Sequence, residues 1–370
     1  MESTVARVVG GGEMPKRLLI AGAGTAASQN LLRSLKAADP DLYVAGCHHD
    51  RFVLSLWPGD SSHLVPRLTS PRFPEALESI IQSEQIALVV PTSDAEVEVL
   101  SRVRDQISGA CFLPESAVIE LCRDKYETTA RLRAAGIRAP ETHALTGLGE
   151  VESVFARFGN RTPLWCRPRT GTCARGGGAV RTPDQARRWI RMWDEMRGIR
   201  PGEFALCEYL PGREVLCQSL WQDGVLVLAN TFERMAYFGA DNIPSGVTSL
   251  SSLAKTVVDP RVVRVCADAI RAIAPQASGA FSIDVKENGQ GVPHITEINA
   301  GRLFMAMTAF DSVLKHSMSL TYVRLGLGET VGLREEYDAV EGYYMVRDLD
   351  VLPRVVHADE LIGGHAEWPV

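Results

Sequence analysis

Short apolar runs separated by segments of helical period dominate the first third of the chain. Leu18-Leu19-Ile20-Ala21 is apolar at every position, as a strand buried on both faces is. It leads through Gly22-Ala23-Gly24-Thr25 into a stretch with apolar residues at Ala27, Leu31, Leu32 and Leu35, a helical spacing. Leu42 to Gly46 and Ile86 to Val90 predict two more strands, the second followed by Pro91-Thr92-Ser93-Asp94, where Ser93 or Asp94 caps a helix. Strands alternating with helices predict a parallel sheet over residues 14–115.

The period then changes. Pro114-Glu115-Ser116 opens a helix, and Lys125 to Ala135 is a second, stopped by Gly136. Beyond it, short runs at 164–167, 204–207, 214–220 and 225–228 alternate with glycine turns and one helix near 183–197, which predicts a mainly antiparallel sheet. Asp223-Gly224 between two of these runs is a hairpin signal. A helix at 260–274 precedes strands at 280–285 and 294–299, and one further strand is expected at 342–346. The expected organisation is a leader over 1–13, a Rossmann-like domain over 14–115, a second domain over 116–330 and an extension over 331–370. Met14 is a possible second start.

Composition narrows the classes. The 370 residues are 45% hydrophobic and 23% charged, which is ordinary for a folded protein. Lys and Arg number 39 against 45 Asp and Glu, a net charge of −6 that gives no electrostatic footprint for nucleic acid. No apolar run approaches the ~20 residues that span a bilayer. The first twelve residues lack a secretory signal pattern, so a cytoplasmic location is expected. The eight cysteines form no Cys-x-x-Cys pair and sit mostly in apolar runs, as buried thiols do.

Three sites carry chemistry. Gly22-x-Gly24-x-x-Ala27 fits a dinucleotide fingerprint and equally fits the tight first turn of any doubly wound sheet. Arg169 to Gly178 is a loop with four glycines flanked by arginines, suited to covering phosphates or to forming an exposed hairpin tip. Asp284 and Glu297-x-Asn299 lie on consecutive strands; if they share a face three oxygen donors converge, which would suit Mg²⁺, and otherwise they form an ordinary solvated strand face. Arg234, Tyr237 and Pro244 to Val247 either line an acceptor pocket or form a loop without a ligand. His48-His49-Asp50 reads as a loop after the second strand. The apolar stretch Leu303 to Met307 serves either a homodimer interface or a core.

In order, Asp124-Lys125, Arg167-Pro168 with its glycine loop, Glu208-Tyr209-Leu210-Pro211-Gly212-x-Glu214, Asp284 and Glu297-Ile298-Asn299 resemble the ATP-grasp superfamily, most closely the carbamoyl-phosphate synthetase large-chain type. The resemblance covers about 116–330, and 14–115 look like the domain that precedes it. It implies an α/β pre-ATP-grasp domain followed by a two-subdomain ATP-grasp fold, with a small subdomain over about 120–207 and a large one over about 208–330.

By the same resemblance, Lys125 and Arg167 would bind ATP phosphates, beneath a loop using Gly171, Gly176, Gly177 and Gly178. Glu208 with the backbone of Tyr209 and Leu210 would hold adenine, and Glu214 the ribose. Asp284, Glu297 and Asn299 would ligate one or two Mg²⁺, or Mn²⁺, and Arg302 would stabilise a phosphorylated intermediate. The family's usual Glu-x-Asn-Pro-Arg is here Glu297-Ile298-Asn299-Ala300-Gly301-Arg302, so the arginine falls one residue late.

The expected activity is ATP-dependent joining of a small-molecule carboxylate to an amine through an acyl phosphate. The alternatives are a phosphotransferase or carboxyphosphate-forming enzyme on the same scaffold, an NAD-dependent oxidoreductase, and a non-catalytic nucleotide-binding protein.

Overall fold

The computed structural model describes residues 16–361 except 173, 247, 249, 334, 335 and 350. The leader expected over 1–13, together with Cys173 and Val247, lies outside the described residues. Four parallel strands, β1 (Arg17–Ala21), β2 (Tyr43–His48), β3 (Ser61–Leu64) and β4 (Leu88–Val90), form the first sheet in the order β3-β2-β1-β4. They alternate with α1 (Ala26–Ala38), α2 (Arg51–Leu54), α3 (Phe73–Glu84) and α4 (Asp94–Val103). Leu18, Leu19, Ile20, Leu88 and Val89 are fully buried, as strands covered on both faces require. Strand β3, absent from the apolar pattern, is an edge strand of Ser61-Ser62-His63-Leu64 whose side chains stay partly exposed.

The Gly22 turn is tight because the fold packs against it. Gly22 and Gly24 have φ of 79° and 89°. A Cβ on Gly22 would meet the Glu96 carboxylate and lie 2.6 Å from Thr92 Oγ1, and one on Gly24 would strike the Val53 carbonyl. Gly22 and Ala23 both donate their N–H to Cys47 O at 3.1 Å. The space and donors a pyrophosphate needs are taken by the protein itself, with a carboxylate at the mouth, which favours the plain-turn reading over a dinucleotide site.

Helices α5 (Ser116–Arg123) and α6 (Lys125–Ala134) follow, and Asp124 caps α6 by accepting from Tyr126 N and Glu127 N. The second sheet, ordered β5-β8-β6-β7, is antiparallel and consists of β5 (Thr142–Ala144), β6 (Leu164–Pro168), β7 (Gly178–Val180) and β8 (Phe204–Glu208). Its core lies under α7 (Val151–Phe158) and α8 (Pro183–Arg197), where Val154, Phe155, Phe158, Ala186 and Ile190 are buried. Trp189 and Trp193 pack against this core.

The third sheet has seven strands in the order β13-β12-β9-β10-β11-β14-β15. In chain order they are β9 (Glu214–Gln222), β10 (Val225–Tyr237), β11 (Ser251–Thr256), β12 (Gly279–Glu287), β13 (Pro293–Ala300), β14 (Tyr343–Val346) and β15 (Arg354–His357), with α9 (Pro260–Ile273) and α10 (Met318–Gly326) between them. Asp223 and Gly224 turn the β9–β10 hairpin at φ of 50° and 82°. Strand β10 runs past the expected end at Leu228, because Asn230 and Thr231, which break its apolar pattern, are buried with hydrogen bonds to Asp338 O (2.8 Å) and Val257 O (2.6 Å). Leu303, Phe304, Met305 and Met307 are buried in the core, so this stretch is not an interface.

Candidate functional site

The site grows from the β12–β13 register. Asp284 pairs with Glu297 and Ser282 with Asn299, so Asp284, Glu297 and Asn299 share one face. Asn299 Nδ2 donates to Asp284 Oδ2 at 3.2 Å. Lys125, at the first position of α6, brings Nζ to 3.4 Å from Glu297 Oε1 and donates to Gly171 O at 2.6 Å. It thus joins the carboxylates to the start of the glycine loop. Arg169, at the base of that loop, pairs with Asp124 at 2.6 Å.

Arg302 reaches the same cluster despite its extra residue. Gly301 adopts a φ of 98°, closed to most side chains, and turns the chain so that Arg302 Nη2 donates to Asn299 Oδ1 at 3.0 Å. The guanidinium also grips Asp94, with Nη2 3.1 Å from Oδ2. Ser93, not Asp94, caps α4, with Glu96 completing a capping box. Asp94 is therefore free to pair across from the parallel-sheet region.

Glu214 lies on β9 between Lys286 on β12 and Arg234 on β10. Lys286 pairs with it in register, and its Nζ is 3.7 Å from Glu214 Oε2. Arg234 Nη1 contacts Glu214 Oε1 and lies 3.3 Å from Asp284 Oδ1, while its Nε donates to Ser251 Oγ at 3.0 Å. Tyr237 donates its hydroxyl to Glu214 Oε2. Arg234 and Tyr237 belong to β10 and not to a loop. Sequence alone leaves Arg234 an open role and does not single out Lys286, although its place two residues after Asp284 puts it on the same strand face.

The remaining expected residues lie around this cluster. Arg167 on β6 donates Nη1 to Thr296 O at 2.9 Å across to β13, and its Nη2 is buried without a hydrogen-bond partner. Glu208 ends β8 and accepts from Glu141 N at 3.3 Å; exposed Tyr209 and buried Leu210 then lead from the second sheet into the third. Among the loop glycines, Gly171 has a φ of 108° and open space around it. Gly176, Gly177 and Gly178 instead leave room for Pro168, Trp165 and Trp189, and Trp189 Nε1 donates to Gly176 O at 2.8 Å.

Burial pushes the Asp284 carboxyl up to about 7; Arg234 opposes the rise, while Glu297 and Glu214 add to it. Burial disfavours the Arg234 charge, but Asp284 and Glu214 outweigh that and leave the guanidinium held more firmly protonated than usual. Burial and the neighbouring Glu214 both push the Tyr237 hydroxyl upward. No three His, Cys, Asp or Glu side chains gather as a metal cage among the described residues. Two carboxylates and an amide oxygen nevertheless form a donor set for a hard cation that draws its other ligands from water and phosphate. The residues present therefore fit Mg²⁺.

No protein-family model matches the chain, and no curated protein matches it in sequence. Solved structures do match. The biotin carboxylase domain of the 2-oxoglutarate carboxylase of Hydrogenobacter thermophilus, solved with MgADP, ADP and bicarbonate, superposes with a TM-score of 0.70 at 15% identity, over 90% of this chain and 74% of that one. The L-amino acid ligase of Bacillus licheniformis superposes at 0.67 and 12% identity, over 90% and 79%. Carboxyaminoimidazole ribonucleotide synthase of Aspergillus clavatus, complexed with ATP, superposes at 0.65 and 14% identity, over 90% and 81%. The chain has the ATP-grasp fold. In this fold the third sheet carries Asp284, Glu297 and Asn299, and Lys125 touches the loop between β6 and β7. No helix among the described residues is long and apolar enough to cross a membrane.

Proposed function

We propose that the protein is an ATP-dependent carboxylate–amine ligase that works through an acyl phosphate. The observation that carries this reading is the meeting of Lys125, Asp284, Glu297, Asn299 and Arg302 at the glycine loop of an ATP-grasp fold. A carboxylate is a poor acyl donor at neutral pH. Its oxygen attacks the γ-phosphorus, the bond to the β–γ bridging oxygen breaks, and ADP leaves. An amine then attacks the acyl carbon, the bond to the phosphoryl oxygen breaks with its electron pair, and phosphate departs while nitrogen loses a proton.

The protein's part is positioning and charge neutralisation. Lys125 exchanges the Gly171 carbonyl for a phosphate oxygen, and Arg167 offers a second cation from β6. The loop from Gly171 to Gly178 closes over the phosphates, and Glu208 with the backbone of Tyr209 and Leu210 holds the adenine. Glu214 would meet the ribose. Arg302, held beside Asn299, faces the charge that develops on the transferred group. Asp284, Glu297 and Asn299 would hold Mg²⁺, which when bound draws charge from the polyphosphate.

The likeness to a biotin carboxylase domain solved with bicarbonate favours a second reading, formation of carboxyphosphate from bicarbonate. Release of ADP from MgATP separates the two. We expect ADP to form only when a carboxylate and an amine are supplied together. Release with bicarbonate alone supports carboxyphosphate formation, and release with neither overturns the ligase reading.

A further inference from the structure

Eight charged side chains pair off toward the end of β12, four of each sign. The carboxylates are Glu214, Asp284, Glu297 and Asp94; the cations are Lys125, Arg234, Lys286 and Arg302. Each carboxylate has a cation against it. Arg234 is the innermost, with 9% of its side chain exposed, and its Nη1 alone reaches both Glu214 and Asp284. Both Asp284 oxygens are engaged, Oδ1 by Arg234 and Oδ2 by Asn299 Nδ2. Both Glu214 oxygens are engaged too, by Arg234 and Tyr237. A divalent ion entering this site alone would add positive charge to a half-buried cluster whose carboxylates are already paired, and would compete with bonds already made.

We propose that Arg234 is the resident counter-cation of this site, so that a divalent ion enters only with the nucleotide's phosphates. The negative charge that calls the ion in is then the polyphosphate's and not the protein's. The strand register explains the placement: Glu214 lies between Lys286 and Arg234 on neighbouring strands, and Ser251 on β11 fixes the guanidinium from its far side. Arg234 acts through the carboxylates it holds, which makes it a positioning residue. The inference rests on the nucleotide-site reading above.

The test counts bound Mn²⁺ by electron paramagnetic resonance on the full chain, with and without ADP. Wild type should bind no Mn²⁺ without ADP at concentrations where ADP brings the ion in. Arg234→Met, which leaves one carboxylate unbalanced, should bind Mn²⁺ without nucleotide at least about tenfold more tightly than wild type. The double variant Arg234→Met with Glu214→Gln restores the charge balance and should return nucleotide-free uptake to the wild-type level. A merely structural arginine would not produce that reversal.

Uptake of Mn²⁺ by wild type without nucleotide overturns the proposal, whether or not the variants fold. So does Arg234→Met that folds and binds Mn²⁺ as wild type does. Failure of ADP itself to bind wild type, followed separately by equilibrium dialysis, removes the nucleotide-site reading and this proposal with it; ADP binding with nucleotide-free Mn²⁺ uptake removes the proposal alone.

Discussion

Lys125 and Glu297 show how one residue can be read twice. In sequence, Lys125 is the residue after a helix-capping Asp124; in the fold its ammonium bridges the Glu297 carboxylate and the Gly171 carbonyl. Removing it unbalances a carboxylate and takes a cation from the phosphates. Lys125→Ala should raise KM for ATP and lower kcat, each by roughly tenfold or more, in an ADP-release assay; unchanged kinetics would move the nucleotide elsewhere. Glu297→Gln keeps the shape of the strand pair while weakening the metal's anionic ligand. Turnover should fall about a hundredfold or more with the thermal midpoint nearly unchanged. A folded Glu297→Gln protein with wild-type turnover would remove Glu297 from the metal site. The sequence pointed to both positions, to Glu297 by strand spacing and to Lys125 by the ATP-grasp resemblance. It did not reveal that Glu214 is already held by Arg234, Lys286 and Tyr237, because those partners come from other strands.

The most informative element is the end of β13. A motif with the arginine one residue late would place that side chain on the wrong face if the strand simply continued, since strand side chains alternate. The strand ends at Ala300, and Gly301 turns at a φ of 98°. Its missing Cβ also leaves room for Val97 of α4, whose Cγ1 would lie 2.7 Å from it. Gly301→Ala should therefore destabilise the protein by about 1–3 kcal/mol through backbone strain, with crowding against Val97 added. It should also lower turnover by mis-aiming Arg302. Denaturant unfolding and ADP release measure the two effects, and an unchanged midpoint with normal turnover would show that the turn tolerates a side chain. The glycine loop teaches a related point. Its run of glycines suggested open phosphate donors, whereas Gly176 to Gly178 accommodate Pro168, Trp165 and Trp189, and only Gly171 among the four has open space.

Across the whole molecule, the Asp94–Arg302 pair joins the parallel-sheet region to the ATP-grasp sheet, and Arg167 ties the second sheet to the third. A nucleotide bound among these parts favours the folded state by mass action, worth about 2.7 kcal/mol at a hundred times its Kd. MgADP should raise the thermal midpoint by several degrees. NAD(H) should leave it unchanged, because the Gly22 turn is filled by Glu96, Thr92 and Val53. A shift with NAD(H) and none with MgADP would reverse that assignment. By itself the sequence determined the strand and helix types over most of the chain, the parallel and antiparallel regions, and the shared face of Glu297 and Asn299. Those features follow from local periodicity, and local periodicity is written in neighbouring residues. Only the tertiary structure decided the rest: the polar edge strand β3, the long β10 with its buried Asn230 and Thr231, the aim of Arg302, and the Arg234 network. Each of these depends on contacts between residues far apart in the chain, where burial and charge balance, not local pattern, set the outcome.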